Sequence, residues 1–164
     1  MRPEPISPSS EQESVWDYPR PPKVEDVTKH IRIVFNNKII ADTHRSKRVL
    51  ETSHPPNYYI LLDDIKTEYL IPSAHSTYCE WKGRANYYTL QVGDRQVKDV
   101  AWYYPEISPA HKELKGYVSF YPEPMDACYV DSEKVQPQPG NFYAGWITKD
   151  IVGPFKGGPG SWEW

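Results

Sequence analysis

The chain has only two cysteines, Cys79 and Cys128, among 164 residues. That is too few for the disulfide framework that staples small secreted domains. It has no apolar run approaching the roughly 18 residues that a membrane-spanning helix needs. Its first residues, MRPEPISPSSEQES, lack the apolar stretch of a secretory signal. A cytoplasmic protein with reduced thiols is the expectation from these absences. An excess of charge of one sign is missing too. The net charge of −3 gives no broad attraction for nucleic acid or an anionic membrane, so neither is expected as a partner. No CxxC or HxxxH pair occurs. Structural zinc usually draws its N/S ligands from such close pairs, so no metal and no cofactor are expected.

Proline and aromatic residues are plentiful instead. The 17 prolines argue against long helices, because proline lacks a backbone donor and clashes with the preceding turn. The 13 tyrosines and 6 tryptophans should dominate the core and any pocket, each burying a large ring while carrying a polar tip that needs a partner. Composition divides the chain into a Pro-rich arm (1–27), a β domain (28–131) and an arm rich in Gly, Pro and rings (132–164). Beyond residue 31 the pattern is that of strands. IRIVF and KIIA flank Asn36-Asn37, a pair that tolerates the positive φ of a tight hairpin. KRVLE, NYYIL, STYCEWK, NYYTLQV, RQVKDVAWYY and YVSFY follow, with a turn at Gly93-Asp94. The expected fold is mainly β: a small antiparallel barrel or a curved, folded-over sheet. Its one short helix is SPAHKELKG, capped by Ser108 with Pro109 at its first position, and His111 is expected on its exposed side.

The run RVLETSHPPNYYI, then HSTYCEWKGRANYY, then AWYYP and GYVSFY, resembles a known family: the bacterial and fungal uncharacterised-domain family numbered 427, sometimes catalogued as nucleotidyltransferase-like. The resemblance covers about residues 31–122 and implies a compact, mainly β domain with no established activity. The residues do not bring the catalogue label support. Nucleotidyl transfer needs metal-holding carboxylates beside a phosphate-gripping turn. Asp63 and Asp64 are adjacent, so on a strand they would face opposite ways. GPFKGGPGS lacks the GxxxxGK[ST] spacing of a phosphate loop.

HSTYCEWKG is the stretch richest in chemistry. On a regular strand Cys79 would share a face with Trp81 and oppose Lys82, which reads Cys79 as inert core. A nucleophilic thiol needs a positive neighbour and partial exposure. His75, Lys82 and Gly83 remain as one wall of a candidate pocket, with Arg48 and Glu51 from another strand and Tyr58, Trp102 and Tyr121 as stacking surfaces. The leading expectation is a binding protein for a small anionic or nucleotide-like ligand. The alternative is an accessory or assembly factor that docks on a protein partner through Trp16, Trp146, Trp162 and Trp164 of its arms. An enzyme of unknown chemistry is the third reading.

Overall fold

The computed structural model describes residues 2–140 and 142–164. Its principal strands are β1 (Lys23–Val27), β2 (Ile31–Phe35), β3 (Lys38–Thr43), β4 (Ser46–Leu50), β5 (Asn57–Leu61), β6 (Leu70–Cys79), β7 (Gly83–Val92), β8 (Arg95–Tyr103), β9 (Tyr117–Phe120), β10 (Ala127–Val130) and β11 (Glu133–Lys134). They form two antiparallel sheets. The larger runs β1-β4-β5-β9-β8-β7-β6 and the smaller runs β11-β10-β2-β3. Among the described residues neither sheet closes into a barrel, so β1 and β6 are left as edges. The fold is mainly β, as the alternating pattern implies.

Alternation decides what each sheet buries. In β2, Ile31, Ile33 and Phe35 point inward and the residues between them are half-buried. They pack with Ile40 and Cys128 against Ile60, Leu90, Val118 and Phe120 of the larger sheet, forming the main core. Full burial of each such side chain contributes about 1.5–3 kcal/mol. The opposite face of the larger sheet is not left to solvent. Tyr59, Tyr87, Trp102 and Tyr104 gather there with Val49 and Leu114 in a second apolar cluster.

Both arms fold back onto this framework. Residues 23–27, which composition assigns to the N-terminal arm, form the edge strand β1. Val15 and Trp16 are buried with Leu50 and Ile151, and the Trp16 indole donates to the Pro154 carbonyl at 3.0 Å. The Trp16 ring lies 5.7 Å from that of Trp164. Trp146 is the largest fully buried side chain and belongs to the main core, where its ring meets Tyr58. Trp162 is exposed. The short helix at Pro109–Leu114 is 3-10 and interrupted at His111. His111 is buried, not exposed as its position in SPAHKELKG suggests, because Ser108 and the Pro22 carbonyl hold its two ring nitrogens. No helix among the described residues is long and apolar enough to cross a membrane.

Because Trp146 is core and Trp162 is not, the two substitutions should differ sharply. Trp146→Ala should lower the unfolding free energy in urea by about 3–5 kcal/mol. Trp162→Ala should stay within about 0.5 kcal/mol of the parent.

Candidate functional site

The site begins with a chain reversal. Strand β6 ends at Cys79 and β7 begins at Gly83, and the two residues sit opposite each other in the ladder. Glu80, Trp81 and Lys82 make the turn between them. Gly83 has φ of +104°, which a side chain would strain, and an added Cβ would lie 3.2 Å from the Glu106 carbonyl oxygen. Ser108 holds the turn from outside. Its N–H donates to the Lys82 carbonyl at 3.0 Å and its hydroxyl donates to the Trp81 carbonyl at 2.8 Å. The strand geometry expected for Cys79 and Lys82 is therefore corrected. Lys82 is in the turn, so its side chain folds back to the same side as Cys79, and the two line one cavity.

Lys82 is only 6% exposed, with its ammonium 5.8 Å from the centre of the Tyr104 ring. Among the described residues it pairs with no carboxylate within 4.0 Å. Burial pulls its pKa down. Tyr59, Cys79 and Glu51 act in the opposite sense and prevail, so the pKa stands above the ordinary lysine value. The group is a cation at neutral pH.

Around it opens a cavity of about 540 Å³ on the outer face of the larger sheet. Its floor follows from register. Tyr59 faces Ser119, Ser119 faces Trp102, and Trp102 faces Tyr87, so these side chains form one row across β5, β9, β8 and β7. Their polar tips meet. The Trp102 indole donates to the Tyr59 hydroxyl at 3.3 Å, and the Thr77 and Tyr87 hydroxyls lie 3.0 Å apart. Burial, aided by Tyr87, pushes the Tyr121 phenol up to about 12. Burial also raises Tyr104, with Tyr59 and Cys79 adding to the effect. Both phenols keep their protons at neutral pH and can donate them to an acceptor in the cavity.

The C-terminal arm and the loop between β4 and β5 complete the walls. Gln138 is the tie between them. Its amide nitrogen donates to the Lys156 carbonyl at 2.7 Å and lies 3.2 Å from His54 Nδ1, while its oxygen accepts from the Gly145 N–H. Tyr143 packs edge-on against His54 at 4.9 Å. Burial drives His54 down to about 3, and the positive charges of Lys156, Arg20 and Lys82 push the same way. At the mouth, Tyr78 and Phe142 expose most of their rings, and the exposed His75 lies against Tyr87 at 4.6 Å.

Of the residues singled out in the sequence, Glu51, His75, Lys82, Trp102 and Tyr121 line this cavity. Gly83 shapes the turn without lining it. Arg48 and Tyr58 lie elsewhere. They face each other across β4 and β5, one residue out of step with Val49 and Tyr59, and so belong to the opposite face. Arg48 pairs there with Glu13 and Glu25. Burial opposes its charge, but bonds to these two carboxylates hold its pKa above the ordinary value. Sequence reasoning missed Tyr59, Tyr87, Tyr104, His54, Gln138 and Lys156, and placed Cys79 in the core. Tyr87 could have been found as the cross-strand neighbour of Trp102, had the bulge near Asp99 (φ 53°) been foreseen. Gln138 and Lys156 carry no periodic signal. No group of three or more His, Cys, Asp or Glu among the described residues is arranged to hold a metal ion.

Fold and site together define a two-sheet β domain with a ring-walled cavity on the outer face of its larger sheet. The chain belongs to the family described as Domain of unknown function (DUF427), whose family model matches residues 23–131. No curated protein matches the chain. The matched segment holds Glu51, Cys79, Lys82 and the ring floor, while Gln138, Tyr143 and Lys156 lie beyond it.

His54 gives a pH signature. Its folded pKa, about 3, is below the ordinary 6.5. Between these values the unfolded chain takes up a proton that the folded chain refuses, so this contribution to stability is complete above pH 6.5 and lost as pH falls. The loss should approach about 1.4 kcal/mol per pH unit inside that window. Urea titrations from pH 7 to pH 4 should show this slope, and His54→Gln should flatten it.

Proposed function

We propose that the cavity binds a small organic anion bearing a planar ring. The observation that carries this reading is the buried Lys82 ammonium, which opens on a ring-lined cavity and has no carboxylate partner. Burial strips water from the ammonium, and Tyr59, Cys79 and Glu51 keep it charged without an ion pair. An anion that reaches it gains a charge-assisted bond, and the protonated Tyr104 and Tyr121 hydroxyls can donate to the same group. The volume falls within the 300–1,000 Å³ typical of small-molecule sites. The row Tyr59–Trp102–Tyr87 supplies flat apolar surface for a ring, and Tyr78 and Phe142 flank its way in. Nucleotide-like anions fit this description. Nucleotidyl transfer is not favoured, because the described residues gather no carboxylate set for metal.

Docking on a protein partner through the arms is the second reading. Trp16 and Trp146 are packed inside the protein and the half-buried Trp164 packs on Trp16, which leaves Trp162, 68% exposed, as the residue to test. If the arms engage a partner, Trp162→Ala should weaken its co-precipitation at least tenfold, and an unchanged yield would speak against this reading.

The pocket is tested by thermal shift with inorganic phosphate, adenosine monophosphate and benzoate. A ligand at 100 times its Kd should add about 2.7 kcal/mol of stability. Lys82→Met should abolish that gain. Without ligand the same variant should be no more stable than the parent, because the folded protein holds the Lys82 pKa above its ordinary value and so favours the charge that Met removes. Failure of all three anions to raise the melting temperature would overturn the reading.

A further inference from the structure

We infer that Cys79 is a covalent site within this cavity, a nucleophilic thiol that forms mixed disulfides with small carboxylate-bearing disulfides. The inference deepens the anion-binding reading and rests on it. Three features converge on the sulfur. Cys79 lines the cavity and is partly exposed, so a molecule bound there can reach Sγ. Lys82 lines the same cavity, and its ammonium and the thiol interact electrostatically. Lys82 as a residue is more than nine-tenths buried and pairs with no carboxylate within 4.0 Å among the described residues. The attacking species in thiol chemistry is the thiolate, and a positive neighbour supplies its counter-charge. The arrangement is held by the backbone, since the turn that returns Lys82 to Cys79 depends on Gly83 and on both bonds from Ser108.

The second cysteine provides an internal contrast. Cys128 lies in the main core, 2% exposed, and burial alone pushes its thiol up. One thiol is equipped for reaction and the other is sealed.

The step is an exchange. The Cys79 thiol gives up its proton and Sγ attacks one sulfur of the small disulfide RS–SR. A new Cys79–S–SR bond forms as the old S–S bond breaks, and the departing RS⁻ takes up the released proton as RSH. The disulfide is the only oxidant needed. A carboxylate on R is drawn toward the cavity by Lys82 and Lys156, so anionic reagents should be preferred over neutral ones of the same size.

Peptide-resolved mass spectrometry on the full chain tests this with Cys128 as internal control. Iodoacetate should alkylate Cys79 roughly tenfold faster, relative to iodoacetamide, than the ratio found for free glutathione under the same conditions. Lys82→Met should return the ratio to that of the free thiol, and Lys82→Arg should restore part of the preference. Glutathione disulfide should add to Cys79 and not to Cys128, and dithiothreitol should remove it. The inference is overturned if Cys79 in the folded chain reacts no faster than in the urea-unfolded chain, or if Lys82→Met leaves the ratio unchanged. Thermal shift by adenosine monophosphate with an unreactive Cys79 would overturn this inference alone and leave the pocket reading standing. A reactive Cys79 with its anionic preference, but no thermal shift with any anion, would overturn the pocket reading alone.

Discussion

Three residues reverse the chain between Cys79 and Gly83, and Ser108 holds them reversed through its amide and hydroxyl. Most of the site depends on that constraint. Were the strand to run straight on, alternation would send Lys82 to the face opposite Cys79. The turn instead brings Lys82 to the same side as Cys79, with its ammonium 5.8 Å from the centre of the Tyr104 ring, in a cavity whose floor is four strands wide. The positive φ of Gly83 makes this backbone path accessible, and the nearby Glu106 carbonyl leaves little room for a side chain there.

The larger sheet is apolar on both faces, and the two faces have different tasks. One meets the smaller sheet with Ile60, Leu90, Val118 and Phe120, which have no polar atoms to satisfy. The other carries Tyr59, Tyr87 and Trp102, whose rings cover the strands while the Trp102 indole bonds to the Tyr59 hydroxyl and the Tyr87 hydroxyl to that of Thr77. A face of this kind stays buried only if something covers it. The C-terminal arm does so, held by Trp146 in the core and by Gln138 at the rim, and the gap it leaves is the cavity.

The elements that were legible in the sequence are those governed by local rules. Asn36 and Asn37 take φ of 49° and 64°, as the hairpin between IRIVF and KIIA requires. Alternation in IRIVF marked a real strand with its buried side, and YVSF forms a strand buried on both faces. The mainly β fold and the family follow from the same stretches. What escaped was set by register and by long-range contact. Arg48 could join Glu51, three residues away, only if a bulge turned it to the same face; it is one step out of phase with Val49 and pairs with Glu13 and Glu25 on the other side. His111 appeared exposed on a short helix until the Pro22 carbonyl, far away in sequence, closed over it. Cys79 and Lys82 were separated by assuming a strand where the chain turns.

The account turns on whether Lys82 meets an anion in the cavity. Side-chain NMR of lysine Cε and Nζ during titration with adenosine monophosphate observes that group directly. The Lys82 resonances should move along a saturable curve, while those of the exposed Lys38 stay in place. If Lys82 stays still while other cavity residues respond, or if Lys82 and Lys38 move together without saturating, the buried ammonium is not the anion site and the central claim fails.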